Sequence, residues 1–413
     1  MKFIIFSVVF SFNLFAYDSY MGDPNCGQLG QRPCGVRSKE FWALGLKRCD
    51  RGLKKVKKTC VNNKRATLKN EWASKSLKFQ RDLLEDIPYK EVPMFLAHNS
   101  YNNKMDRYFL PNQFYSITDL LEIGVRGLEW DVHYVNKALR LCHGTDKHVG
   151  CSIKDRPFFN IVEELSQWIR KEENKDEIVY LFIQEEFGGK NENKAKEAFI
   201  KPLKKYLGDL IAPSYQSSFS AKQLRSLGKR IIMRSTLVDK IAREDENFER
   251  VIKNAPEQEH KPKVLKKLKR PKGPLTRLFL GNEWALKTPQ DIANFFLQKS
   301  NGPIKFDYIN IEHSKMAVWS WAEGENFWNR KGKSCVSINQ QGRWVISSCM
   351  EEKPFSCLRD GEWFVTEKTG VKERGDATCS QEFPGSEFSY PKDGYVHSKL
   401  VKKARGMFIS IEI

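Results

Sequence analysis

The stretch GVRGLEWDVHYVNKALRLCHG, residues 124–144, reads as a strand that turns back on itself, and HNSY at 98–101 precedes it. A side-chain period of two sends Glu129 and Asp131 to one face while Leu128, Trp130 and Val132 take the other. Paired carboxylates on one face suit a divalent cation. His133 continues that face and is expected beside such a site rather than as a ligand. The return strand LRLCH puts Leu139, Leu141 and His143 on one side, so His143 and His98 can both converge on the acidic pair. The alternative is a structural network in which Glu129 and Asp131 pair with Arg126, Arg140 or a lysine.

Outward from this segment, strand patterns at 92–98 (VPMFLAH), 125–135, 177–187 (EIVYLFIQEEF), 229–235 (KRIIMRS) and 307–313 (DYINIEH) are interspersed with helix patterns. The helix patterns are SITDLLEI (116–123), FFNIVEELSQWIRKE (158–172) and AKEAFIKPLKKYL (195–207). Such alternation favours parallel strands joined by crossover helices. Polar residues recur at the strand C-termini: His98 and Asn99, Asp131 and His133, Gln184 and Glu185, Arg234 and Ser235. In a closed α/β barrel those ends form the active face. A TIM-like (β/α) barrel is therefore expected over an open doubly wound sheet, whose glycine-rich phosphate turn the sequence lacks.

The 413 residues suffice for one large domain with smaller additions. The start, MKFIIFSVVFSFNLFA, has the layout of a secretory signal peptide over 1–16, cleaved after Ala16. The bulk of Leu14 leaves an uncleaved anchor as the alternative. The ten cysteines fall into three sets: 26, 34, 49 and 60; 142 and 151; 335, 349, 357 and 379. With no CxxC pair among them, an even count reads as disulfides closing within each set, in keeping with a secreted protein, extracellular or periplasmic. A bridge from Cys142 to Cys151 would fix the loop after His143, where His148 is expected to be exposed. The regions are then a Cys-rich N-terminal segment over 17–89, the barrel over 90–315, and a small disulfide-containing β-rich domain over 316–413.

A net charge of +19, concentrated in KPKVLKKLKRPK at 261–272, draws the chain to polyanions. For a secreted chain an anionic membrane or cell-wall polymer is the nearer partner, and no nucleic-acid motif is present or nucleic acid expected. A solvated basic loop with no specific partner is the alternative.

HNSY, QFYSITDLLEIGVRGLEWDVHY, LRLCHG, Cys151 and EIVYLFIQEEF together resemble the X-type catalytic domain of phosphatidylinositol-specific phospholipase C and its secreted phosphodiesterase relatives. The resemblance covers about 90–315 and implies a TIM-like barrel with His98 and His143 as catalytic residues. In the calcium-dependent branch the matching Asn99, Glu129 and Asp131 are metal ligands, so calcium is the implied cofactor. Family members carry a Glu in the third strand, where this chain has Gln184; a one-residue bulge would instead bring Glu185 inward. Gln184 and Arg234 are the implied substrate-binding residues, Arg234 toward the head-group phosphates.

VWSWAEGENFWNRKGKSCVSINQQGRWVISSCMEEKPFSCL is similar to the closing half of a C-type lectin-like domain. That similarity implies a Cys335–Cys349 bridge and leaves Cys357 to Cys379. The stretches matching the sugar-binding calcium motifs read Glu325-Asn326-Phe327 and Trp344-Val345-Ile346, so calcium-dependent sugar binding is not implied. The alternatives are a disulfide-pinned packing module and aromatic-mediated glycan contact.

The function implied is a secreted phosphoric diester hydrolase acting on phosphatidylinositol or glycosylphosphatidylinositol lipids at a membrane surface through paired histidines and bound calcium. Two rivals stand beside it. One is a glycerophosphodiester or sphingomyelinase-D-like phosphodiesterase; the other is a non-catalytic surface- or glycan-binding protein on the same barrel.

Overall fold

The structure is a computed structural model and describes residues 26, 32–34, 49, 53–62, 71–108, 111–144, 150–187, 192–213, 217–235, 237–238, 289–299, 302–329 and 334–413. The expected signal peptide, the basic run at 261–272 and His148 lie outside these residues. The chain divides into two compact units, Met1–Asn62 and Asn63–Ile413.

The first unit contains the bridges Cys26–Cys34 and Cys49–Cys60 and an antiparallel hairpin, β1 (Leu53–Val56) and β2 (Thr59–Asn62). The hairpin reverses through Lys57, at a φ of 53°, and the second bridge ends on Cys60 within β2.

In the second unit the strands are β3 (Met94–Ala97), β4 (Gly127–Val135), β5 (Ala138–Leu141), β6 (Arg156–Pro157), β7 (Val179–Glu186), β8 (Ile211–Pro213), β9 (Ile231–Arg234) and β10 (Pro303–Phe306). Six of them form a parallel sheet in the order β10-β3-β4-β7-β9-β8, with β5 and β6 extending antiparallel from β4. The fold is thus mixed α/β around a central sheet. Among the described residues no ladder joins β8 to β10, so closure into a barrel is not part of the observed pairing.

Both faces of the sheet are covered, which is why its strands read as near-continuous apolar runs. One face carries Leu128, Trp130, Val132, Leu181 and Ile183, packed with the helix Phe158–Ile169. The other carries Met94, Leu96, Tyr180 and Ile232. Gly127 lets β4 lie on β3: a Cβ there would stand 2.7 Å from Leu96 Cα and 2.8 Å from Phe95 O. The helix Ile117–Glu122 begins at a capping box in which Ser116 and Asp119 exchange side-chain and backbone hydrogen bonds.

Two readings of the sequence are corrected. The strand expected at 307–313 lies earlier, at β10, and 311–317 is a helix. Tyr308 turns the chain at a φ of 53°, and the Asn310 side chain caps the helix by accepting from His313 N. The C-terminal stretch, expected to be β-rich, contains helices Gly375–Glu382 and Gly394–Ala404 beside two three-stranded sheets. Its bridges are Cys335–Cys349 and Cys357–Cys379.

The residues of 316–413 lie in the same compact unit as the central sheet and share its core. Trp321 and Trp344 are buried edge-on against Phe79 of the helix Glu71–Asp82. One residue along that helix, Gln80 accepts from Trp319 N, Ser320 N and Ser320 Oγ and donates to Ala317 O, so a buried amide ties the helix to the chain that follows the sheet.

Candidate active site

HNSY supplies a positioned group from each of its four residues. His98 follows β3; its Nδ1 is 2.9 Å from Asp307 Oδ1, just past β10, and its Nε2 is 4.0 Å from Glu129 Oε2. Asn99 takes a left-handed φ of 42°, a conformation Asn tolerates better than most residues. Its Nδ2 lies 3.1 Å from His143 Nδ1. Ser100 Oγ donates to Glu129 O and accepts from Trp130 Nε1, anchoring the turn on β4. Tyr101, fully buried, donates its hydroxyl to Asp131 Oδ2 at 2.9 Å.

The β4–β7 ladder runs without a bulge and sets Glu129 opposite Phe182, Asp131 opposite Gln184, and His133 opposite Glu186. Gln184 therefore faces the acidic pair, and its Nε2 donates to Glu129 Oε1 at 2.9 Å. Glu185 points to the other face, accepting from Ser235 Oγ and Leu237 N. The inward turn of Glu185 that a bulge would have required does not occur.

Glu129 is fully buried, and Lys305 Nζ on β10 sits 2.7 Å from its Oε1. Three buried oxygens on this face accept no hydrogen bond: Asn99 Oδ1, Glu129 Oε2 and Asp131 Oδ1. Unsatisfied buried acceptors are costly, and their concentration on these three residues is the signature expected of oxygen ligands for a hard cation. The donor set thus fits calcium.

The electrostatics follow from this crowding. Burial pushes Asp131 up to about 6, and the charge of Glu129 adds to it, against the Tyr101 hydrogen bond and the two histidines. For His98, burial favours the neutral ring, but the hydrogen bond and charge of Asp307, with Glu129, outweigh it and raise its pKa.

Of the sequence-derived site residues, His98, Asn99, His143, Gln184 and Arg234 lie at strand C-terminal ends or in the turns that follow, while Glu129 and Asp131 lie within β4. His98, Asn99, Glu129, Asp131, His143 and Gln184 are linked by the contacts above. Arg234 ends β9 opposite Phe182, its guanidinium 5.0 Å from that ring, and Lys305 Nζ lies 5.8 Å from the same ring. His133 is buried, with a ring nitrogen near the sulfurs of the Cys142–Cys151 bridge; those cysteines are spent in the disulfide. Arg126 pairs instead with Glu177, and Arg140 with the Asp155 carbonyl.

Sequence reading missed Tyr101, Asn112, Gln113, Lys305 and Asp307. Asn112 accepts from Asn102 Nδ2 at 2.7 Å and donates to Asp307. Buried Gln113 donates to the carbonyls of both His98 and Phe306, stitching the ends of β3 and β10 together. KFD at 305–307 held a usable signal, alternate polar residues closing a short apolar strand, which placing the strand at 307 concealed.

A mixed α/β fold with its polar groups gathered at the C-terminal ends of parallel strands is the class the geometry defines. Residues 54–208 match the family model of the Rv2075c PI-PLC-like domain. That stretch, which holds His98, Asn99, Glu129, Asp131, His143 and Gln184, is therefore similar to a PI-PLC-like domain. Two uncharacterized Mycobacterium tuberculosis proteins, Rv2075c and MT2135, are each 22% identical over 383 residues, covering 80% of this chain and 77% of theirs. The Arabidopsis thaliana PI-PLC X domain-containing protein At5g67130 is 26% identical over 110 residues, 25% of each chain. A mutant phosphatidylinositol-specific phospholipase C from Staphylococcus aureus aligns at 10% identity and a TM-score of 0.38, over 60% of this chain and 97% of its own.

Proposed function

We propose that the protein is a secreted, calcium-assisted phosphodiesterase that cleaves phosphatidylinositol or glycosylphosphatidylinositol lipids at a membrane surface. The observation that carries this reading is the set of three bare buried oxygens, Asn99 Oδ1, Glu129 Oε2 and Asp131 Oδ1, flanked by two histidines. We take the parallel sheet as part of a TIM-like barrel, which its strand order and two buried faces support. Five disulfides and the absence of a free cysteine support export.

His98, held by Asp307, takes the proton of an inositol hydroxyl as that oxygen attacks phosphorus. His143, whose ring meets the Asn99 amide, gives a proton to the departing diacylglycerol oxygen as the phosphorus–oxygen bond breaks. The products are a cyclic inositol phosphate and diacylglycerol. Asn99, Glu129 and Asp131 are the residues that would hold calcium, whose charge when bound lowers the hydroxyl pKa and offsets that of the phosphate. Arg234 and Lys305, beside Phe182 at the mouth, add positive charge toward the phosphate. We read the C-terminal region as a packing module rather than a glycan-binding one, since Trp321 and Trp344 of its lectin-like stretch are buried.

Phosphatidylinositol vesicles incubated with the mature chain, first with calcium and then with excess chelator, test the reading through release of cyclic inositol phosphate. Calcium-dependent product is expected. No product, with calcium still bound, would overturn this substrate. It would favour another diester or a binding protein, the reading that Gln184 in place of a family Glu keeps open.

A further inference from the structure

The Glu129 carboxylate is used asymmetrically. Its Oε1 accepts from Lys305 Nζ at 2.7 Å and from Gln184 Nε2 at 2.9 Å, whereas its Oε2 accepts from no group. Lys305 reaches it from β10, the edge strand beyond β3, and keeps 23% of its side chain exposed while Glu129 keeps none. A fully buried carboxylate without a counter-charge is strongly penalised, so in the metal-free protein this ammonium is what makes an ionised Glu129 tolerable. A cation bound at Asn99, Glu129 and Asp131 would be attracted by two carboxylates and repelled by the ammonium on one of them.

We propose that Lys305 is a built-in counter-cation that competes with calcium for Glu129. It stabilises the empty site and sets the calcium threshold of the enzyme. This inference rests on the calcium reading above. Affinity in oxygen-ligand sites follows the net ligand charge. With Lys305 parked on Glu129 the site presents roughly one negative charge rather than two, which places its affinity in the weak range suited to calcium-rich surroundings outside cells. Partial exposure gives the lysine somewhere to go: its head can swing into water while its backbone stays paired beside Leu96 in the β10–β3 ladder.

The test is calcium titration of the metal-free full chain by calorimetry, for wild type, Lys305→Met, Lys305→Arg and Asp131→Asn, with thermal melts of each. Lys305→Met is expected to bind calcium about tenfold more tightly and, without calcium, to melt at a lower temperature than wild type. Its calcium-induced rise in melting temperature should therefore exceed that of wild type. Lys305→Arg, which keeps the charge, should bind calcium much as wild type does, separating charge from side-chain shape. Equal affinity in wild type and Lys305→Met, with Asp131→Asn weakened, would overturn the competition while leaving the calcium site standing. No calcium binding to wild type or to either Lys305 variant would overturn the calcium reading, and this inference with it.

Discussion

Strand β4 adjoins two charge clusters of opposite character. At its start, buried Arg126 holds Glu177 through paired contacts at 2.7 and 2.8 Å and spends its remaining amino group on the carbonyls of Leu121 and Val125; Arg81 joins at 3.2 Å. Within its first half, on one face, Glu129 and Asp131 crowd one another, and each leaves an oxygen bare. The first cluster is saturated by the chain itself. The second keeps two oxygens without a hydrogen-bond donor, the gap that the proposed cation would fill. Where a fold leaves buried acceptors open, function rather than stability has shaped the arrangement.

The sharpest way to break this comparison is His143→Ala. Turnover on phosphatidylinositol vesicles should fall about 10²–10⁴-fold with the melting temperature little changed, because His143 is exposed. Retained activity would remove it from the mechanism. The mirror experiment, Glu177→Ala, strands Arg126 in the core and should cost about 3–5 kcal/mol in urea unfolding. Activity per folded molecule should survive; losing it in step would mean that the two clusters are not independent.

Acid sharpens the same contrast. Burial alone would raise Glu177, but the charges of Arg126 and Arg81 outweigh it and hold the carboxyl well below its ordinary 4.5. A group depressed on folding contributes stability that is present above its unfolded pKa and is lost as pH falls toward its folded one. The stability gap between wild type and Glu177→Gln should accordingly be constant near neutrality and shrink once the pH drops below about 4.5. A gap that widened with acid would exclude this cluster as the cause. The smallest effect is expected from Glu185→Gln: near-wild-type turnover and a stability loss of about 1 kcal/mol, from weakened bonds to Ser235 and the Leu237 amide. Loss of turnover would show that Glu185, and not Gln184, serves the site.

The local half of the site was legible in sequence. Period-two alternation in β4 fixes Glu129 and Asp131 on one face, and HNSY and CHG mark the turns that bring His98 and His143 to them. The other half was not, because it is written across the sheet. Lys305 meets Glu129 across 176 positions and Asp307 meets His98 across 209, so no window of local pattern contains both partners. Strand β10 is short, and the Asn-capped helix after it carries an apolar spacing that imitates a strand at 307–313. Both C-terminal helices escaped for related reasons. The helix at 375–382 spans little more than two turns with no apolar stripe, and the one at 394–404 opens on a buried glycine, Gly394.

The stitch made by Gln113 between His98 and Phe306 has a temporal consequence. The first strand of the sheet is made early, yet its histidine acquires its partner only when β10 arrives beside it. A partly synthesised chain therefore holds the HNSY turn without the Asp307 contact that fixes His98, and on the proposed reading it is inert until its last parallel strand docks.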